Sequence, residues 1–145
     1  MTGMNLVEQQ PATYKSLVAL SAQAEAGMAE TGLDPLLAEL VRIRVSQLNG
    51  CAFCLRTHTR DALAKGESAD RLAVLAAWGE SGYFTARERA ALAVAERTTR
   101  PGEPVRWAYE DEALTDDQAS AVSWLAIVMN AWNRVALMSR TPVAP

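Results

Sequence analysis

The stretch LLAELVRIRVSQLNGCAFCLRTHTRDALAKG, residues 36–66, decides the fold because it predicts two helices that meet at a sharp corner. Asp34 and the proline after it form a typical helix start, an N-cap residue before a proline at the first helical position. Asn49-Gly50 ends this first helix. The second helix begins at or just before Cys51 and runs up to Gly66, a natural C-terminal cap. We therefore expect two helices joined immediately before Cys51.

The rest of the chain has the same helical pattern. Further helices are predicted after Pro11, after Ser68, and after the capping boxes Thr85–Glu88 and Thr115–Gln118. No stretch alternates apolar and polar residues over a strand length. The sequence therefore predicts an all-α fold, a compact single domain of about six helices over residues 1–145.

Composition and charge exclude several classes of partner. The 145 residues are 50% apolar and carry a net charge of -3, which gives no basic surface for nucleic acid or an anionic membrane. The N-terminal stretch MTGMNLVEQQPATYK lacks the basic and apolar regions of a secretory signal, so we expect a cytoplasmic protein. Polar residues interrupt the most apolar stretch, 121–138, which therefore favours a buried or interfacial helix over a membrane span.

The last predicted helix is apolar nearly all round and must be covered on several faces. Two arrangements satisfy that need, a homo-oligomer built around this helix and a central helix buried within one chain. Asn130, Asn133 and Arg134 interrupt the helix, and buried polar groups require partners. We favour an oligomer interface for these three residues, with the wall of a site as the alternative. The tryptophans of the chain are predicted to be core and interface residues.

Cys51, Cys54 and His58 are the two cysteines and the one histidine of the chain, and they lie within eight positions. At about 100° per helical residue, all three side chains share one helix face, and Cys54 and His58 have the i,i+4 spacing of touching side chains. An imidazole can take the thiol proton, and a helix N-terminus favours a thiolate. A disulfide between cysteines three positions apart closes too short a loop to stabilise a fold. The pattern instead predicts a thiol-redox site with a nucleophile, a base and a resolving thiol.

Glu39 is the candidate that could hold His58 in its useful tautomer. It lies twelve residues before Cys51, in an apolar run on the preceding helix. Spacing alone favours an ion pair with Arg42 on a solvated face. Arg56 and Arg60 are likewise expected to be solvated.

These residues match a known signature. Glu39 with NGCAFCLRTH has the spacing E-x11-C-x2-C-x3-H, and it resembles the alkylhydroperoxidase D-like (AhpD-like) branch of the carboxymuconolactone decarboxylase superfamily. ELVRIRVSQLNGCAFC, HTRDALAKGE, WGESGYFTARERAALAVAE and NAWNRVAL extend the resemblance over about residues 33–138. One position departs from it, since Phe53 stands where the family often has tyrosine.

The resemblance implies an all-helical peroxidase that needs no cofactor. Cys54 would attack the peroxide and become a sulfenic acid, and Cys51 would resolve it as a disulfide. His58 would relay the proton of Cys54, and Glu39 would accept it in turn. The electron donor would be a dithiol, which is a lipoylated protein in the best-understood members, and the chain would form trimers or hexamers.

Three alternatives use the same residues or the same fold. A metal site could take Cys51, Cys54, His58 and Glu39 as ligands, although structural zinc sites usually draw ligand pairs from separate loops. The lactone decarboxylase that names the superfamily needs no thiol pair. A redox-sensing or structural oligomer could use the cysteine pair as a switch without turnover. We expect no metal and no prosthetic group.

Overall fold

The computed structural model describes residues 3–145, and these form helices with no strand among them. The α-helices are α1 (Leu6–Gln9), α2 (Pro11–Glu30), α3 (Pro35–Asn49), α4 (Ala52–Ala64), α5 (Ala69–Val74), α6 (Ala86–Thr99) and α7 (Asp116–Met138). Two short 3-10 helices, Leu75–Glu80 and Asp111–Ala113, lie between them. The predicted all-α fold is confirmed, with seven α-helices in the described residues where about six were expected.

The predicted caps fix most of the helix ends. The Asp34 side chain accepts a hydrogen bond from the Leu36 backbone N–H at 2.8 Å and so starts α3. Both capping boxes form, at Thr85 before α6 and at Thr115 before α7. Gly50 ends α3 in the left-handed conformation, with φ 69°. That conformation costs a glycine little, so the chain can turn sharply from α3 into α4.

Two segments differ from the prediction. Helix α1 is a single turn that the sequence pattern did not indicate, started by Asn5, whose side chain accepts from two backbone N–H groups. The helix after Ser68 is shorter than expected, because α5 gives way to the tighter 3-10 helix Leu75–Glu80. Gly79 in that segment lies against the Trp107 side chain, where an added Cβ would come within 1.8 Å of Cγ.

Helix α3 lies at the centre of the fold and packs against α4, α6 and α7. Helix α7 packs against α2, α3 and α6, so α3 and α7 together form the middle of the bundle. One core cluster joins these helices and includes both cysteines. A second cluster surrounds the fully buried Trp78, on the side of α3 that faces α6 and the 3-10 helix. The start of α4 is thus anchored directly in the main core.

Helix α7 is only partly covered by its own chain. One side is buried within the chain, whereas Trp124 and Ile127 on the other side are 51% and 44% exposed. Asn133 is fully buried and bonds within its own chain, so the expectation that it lies at an oligomer interface is wrong. By length and hydropathy, α7 is the one helix among residues 3–145 that could cross a membrane, a test that core helices of soluble proteins also pass.

Candidate active site

The two cysteines lie at the start of α4 and are joined in a disulfide. Cys51 is the N-cap residue, and its sulfur accepts a hydrogen bond from the backbone N–H of Cys54 at 3.3 Å. Their Cα atoms are 5.4 Å apart, a usual separation for bonded cysteines. Both side chains are buried. The two cysteines are therefore close enough in the fold to be bonded to each other.

A cavity of about 510 Å³ opens beside this helix start. Its apolar wall comes from one face of α7, namely Leu125, Val128, Met129, Trp132, Val135 and Ala136. Its polar wall includes His58, Glu39 and Lys65. As far as residues 3–145 form the lining, it includes Cys54 and Phe53 but not Cys51. Of the two cysteines, Cys54 is therefore the one that lines the cavity.

His58 lies on the same wall, one helical turn after Cys54. Its Nδ1 is 3.0 Å from Oε2 of Glu39, which is 1% exposed. A carboxylate only accepts hydrogen bonds, so in the neutral imidazole the proton is assigned to Nδ1. Nε2 is then the unprotonated nitrogen. Residues four positions apart are neighbours on a helix, so His58 is next to Cys54 and its Nε2 can accept a proton.

Glu39 is held by cations as well as by His58. Its Oε1 accepts hydrogen bonds from Lys65 Nζ at 2.7 Å and from Arg42 Nη1 at 2.8 Å. Burial alone raises the pKa of Glu39. The hydrogen bonds from His58 and Lys65 and the charge of Arg42 outweigh this effect and lower the pKa to about 2. The expected pairing with Arg42 is present, but it lies in the protein interior rather than on a solvated face. Glu39 is therefore ionised at neutral pH.

The structure brings together all four residues that the sequence singled out. Cys54, His58 and Glu39 line one cavity, and Cys51 is bonded to Cys54. Arg56 bonds the backbone oxygen of Ala144 near the C-terminus. In the described part of the chain, neither Arg56 nor Arg60 lines the cavity.

Three residues of the site were missed by the sequence reasoning. Lys65 could have been found, because it lies seven positions after His58 and so shares its helix face. Trp132 and Tyr14 carried no such signal, since an aromatic residue at helical spacing equally fits a core. Their rings pack edge to face at 5.6 Å, and both line the cavity. Aromatic side chains from the two ends of the chain thus close one side of the site.

The side chains that could share a metal ion differ from the set that the sequence suggested. Within residues 3–145, the cluster with suitably close ligand atoms consists of Glu39, His58 and Asp61, without either cysteine. Glu39 already accepts hydrogen bonds from Lys65 and Arg42, so an ion would have to compete with two cations for its Oε1. The hydrogen bonds to Glu39 therefore make this cluster a poor metal site.

Comparison with known proteins relates this site to a family. The model of the carboxymuconolactone decarboxylase family matches residues 11–97. The chain is 35% identical over 117 residues to the uncharacterized protein YdfG of Bacillus subtilis, covering 74% of this chain and 76% of that protein. It is 29% identical over 101 residues to the uncharacterized protein YnjA of Escherichia coli, covering 70% of this chain and 56% of YnjA.

The fold also matches a solved structure. ATU0492 of Agrobacterium tumefaciens, a protein of unknown function described with its crystal structure as a candidate antioxidant defence protein AhpD, has a TM-score of 0.80 to this chain. The two are 27% identical, and the match covers 99% of this chain and 100% of the other. The likeness thus extends over nearly the whole fold.

The lowered pKa of Glu39 predicts how acid acts on the protein. Its folded pKa of about 2 lies below the ordinary glutamate value of 4.5, so its ionisation stabilises the fold above about pH 4.5 and that stabilisation is lost as the pH falls towards 2. Between pH 6 and pH 2, the wild type should lose about 3 kcal/mol more free energy of unfolding than Glu39→Gln. Denaturant titrations at several pH values measure this difference.

Glu25→Gln is the matched control for this titration. Glu25 also pairs with Arg42, at 3.6 Å, but its side chain is 63% exposed, so this variant should keep the acid sensitivity of the wild type. If the free energy of unfolding depends on pH in the same way in the wild type and in Glu39→Gln, the lowered pKa of Glu39 is contradicted.

Proposed function

Because the chain belongs to the carboxymuconolactone decarboxylase family, with an AhpD-like fold, we propose that it is a hydroperoxide reductase that uses the Cys51–Cys54 pair. One observation carries the proposal. Cys54 lines a cavity one helical turn before His58, whose Nδ1 is bonded to a buried, ionised Glu39. This arrangement supplies a nucleophile, a base and the group that orients the base.

The first step forms a sulfenic acid. Nε2 of His58 takes the proton of the Cys54 thiol, and the thiolate attacks the outer oxygen of the hydroperoxide. The sulfur–oxygen bond forms as the oxygen–oxygen bond breaks. The leaving alkoxide takes the proton from the imidazolium and departs as an alcohol. Cys54 is oxidised by two electrons, and the peroxide is reduced by two.

The second step closes the disulfide. The sulfur of Cys51 attacks the sulfur of the Cys54 sulfenic acid, the sulfur–sulfur bond forms, and the hydroxyl group leaves with the Cys51 proton as water. The Cys51 sulfur lies at the positive end of α4, where a developing negative charge is favoured. A dithiol donor then returns two electrons and two protons. For that donor we propose a cytoplasmic dithiol such as a lipoylated protein, by analogy with the family.

For Glu39 we propose an orienting role rather than the proton-accepting role that the resemblance implies. A carboxylate with a pKa of about 2 is a poor proton acceptor at neutral pH. It can hold the proton on Nδ1 of His58 and stabilise the imidazolium that forms when Nε2 takes the thiol proton. Lys65 and Arg42 support this role because they keep Glu39 ionised.

The two alternatives differ in how well they fit these contacts. A lactone decarboxylase has no use for a cysteine pair beside an oriented histidine, although the family name comes from that activity. A redox sensor would use the same four residues. The rate of repeated peroxide turnover with a dithiol donor separates an enzyme from a sensor, which would turn over slowly.

Exchange of each cysteine tests the assigned roles. Cys54→Ser should reduce peroxide consumption to background, because the serine hydroxyl is not ionised near neutral pH. Cys51→Ser should react once per chain and leave a sulfenic acid on Cys54 that dimedone labels, as measured by mass spectrometry. The reverse pattern would exchange the two roles. Inert thiols in the wild type would remove the peroxidase proposal altogether.

His58→Gln tests the base. The first oxidation should slow by about 100-fold or more near neutral pH and recover at high pH, where hydroxide removes the thiol proton. Stopped-flow rates of thiol loss over a pH series measure this. Arg60→Gln is the control, since Arg60 is exposed on the same helix. Equal rates for His58→Gln and the wild type at every pH would rule out a base role for His58.

We also propose that the chain forms a homo-oligomer, a trimer or hexamer, through the exposed sides of α2 and α7. The large apolar side chains of Leu20, Trp124 and Ile127 are exposed on these helices. Leu20 and Trp124 line a common groove, so the uncovered surface is continuous between the two helices. A surface of this kind is typical of an interaction site.

Light scattering of the purified protein tests the oligomer. The wild type should have three or six times the mass of one chain, and the double variant Trp124→Arg/Ile127→Arg should fall to a smaller species because a charge at a buried interface is costly. Val143→Arg changes an exposed apolar residue of the C-terminal tail and should leave the mass unchanged. A monomeric wild type would rule out the proposal.

A further inference from the structure

Three asparagine side chains connect the end of α3 to α7. Nδ2 of Asn49 donates to Oδ1 of Asn130 and to Oδ1 of Asn133, both at 2.9 Å. Asn130 is itself held, since its Nδ2 donates to Thr99 Oγ1 at 3.0 Å and to the Ala126 backbone oxygen at 2.9 Å. Asn49 is therefore bonded to two fixed partners, two residues before Cys51.

Asn133 reaches Cys51 by a second route. Its Nδ2 donates to Oγ of Ser46 at 3.1 Å, and that hydroxyl donates to the Arg42 backbone oxygen at 2.7 Å. The backbone oxygen of Ser46 in turn accepts the backbone N–H of Cys51 at 3.1 Å. Ser46 and Asn133 are fully buried, so water cannot readily replace these bonds. We call Ser46, Asn49, Asn130 and Asn133 the asparagine clamp.

The clamp has no direct part in the chemistry of the cavity. Over residues 3–145, none of its four members contributes to the cavity lining. Its side chains hold the end of α3 against α7, on one side of the turn at Gly50, and the Ser46 backbone oxygen holds the Cys51 N–H on the other side. The backbone before Gly50 is thus held by side chains, and Cys51 is tied to it by one backbone hydrogen bond.

We propose that the asparagine clamp is a positioning device for Cys51, which holds its sulfur within reach of Cys54 and thereby speeds disulfide closure. The inference rests on the proposed function. In the step concerned, the Cys51–Cys54 bond forms, the sulfur–oxygen bond of the sulfenic acid breaks, and water leaves with the Cys51 proton. Because Cys51 reaches Cys54 by rotation of one short side chain, a small shift of its backbone removes the aligned approach that fast reaction needs.

The clamp acts on the second step and not on the first. Attack on the peroxide requires Cys54, His58 and Glu39, which lie on α4 and in the middle of α3. Disulfide closure alone requires Cys51 to be held in place. If the network were purely structural, its loss would lower the stability of the whole fold and leave the relative rates of the two steps unchanged.

The test compares Asn49→Ala with Gln47→Ala. Gln47 is the matched control, since it lies on the same last turn of α3 and its side chain accepts from Arg44 of that helix. In Asn49→Ala, sulfenic acid formation should stay within about twofold of the wild type, whereas its conversion to the disulfide should slow about tenfold. Rapid-quench dimedone labelling with mass spectrometry measures both steps. The Gln47→Ala rates should match the wild type.

A second readout does not depend on peroxide. In dithiothreitol redox buffers, the thiol–disulfide equilibrium of Asn49→Ala should shift about fivefold towards the dithiol, because an unclamped Cys51 loses more freedom on closure. Asn130→Ala removes one of the two Asn49 partners and should shift the equilibrium less, in the same direction. It also serves as the test if Asn49→Ala does not fold.

The outcomes separate the two proposals. Wild-type closure rates and equilibrium in both asparagine variants, or an equal slowing of both steps, would overturn the clamp proposal and leave the peroxidase proposal intact. A wild type that does not react with peroxide would remove the peroxidase proposal, while the dithiothreitol equilibrium would still decide whether the clamp positions Cys51.

Discussion

The buried carboxylate of Glu39 is the interaction on which the site depends. A charged group in the interior is costly unless its oxygens are satisfied, and here Lys65, Arg42 and His58 satisfy them. Two of these donors lie on or at the end of α4, whereas Glu39 and Arg42 lie on α3. The carboxylate therefore fixes how the two helices pack, and the same bonds orient the imidazole beside Cys54. The stability of the helix pair and the geometry of the base have one origin.

Local signals in the sequence predicted the helices well because the helix ends of this chain are mostly set by residues next to them. Asp34, Gly50, Thr85 and Thr115 satisfy backbone groups within a few positions, so their effect can be deduced without the fold. The segment after Ser68 was predicted less well. Its change to a 3-10 helix accompanies the packing of Gly79 against Trp107, a contact between residues far apart in sequence.

The residues of the candidate site likewise fall into those that local sequence signals predicted and those that they did not. Cys51, Cys54 and His58 could be found because Cys51 caps the helix that carries the other two, and the family signature added Glu39. Spacing alone placed Glu39 on a solvated face, since it gives the neighbours of a residue on its own helix but not the helix that covers it. Asn133 was misplaced for the same reason, because its partners Ser46 and Asn49 belong to another helix. Long-range polar contacts leave no periodic pattern in a sequence.

One sulfur atom serves both as a redox centre and as a helix cap. The Cys51 sulfur that bonds Cys54 also accepts the backbone N–H at the start of α4, so each oxidation state offers that N–H a different acceptor. A thiolate accepts a hydrogen bond more strongly than a disulfide sulfur, because it carries a full negative charge. The choice of replacement therefore matters: serine keeps an oxygen acceptor for the helix start, whereas alanine removes the thiol and the cap together.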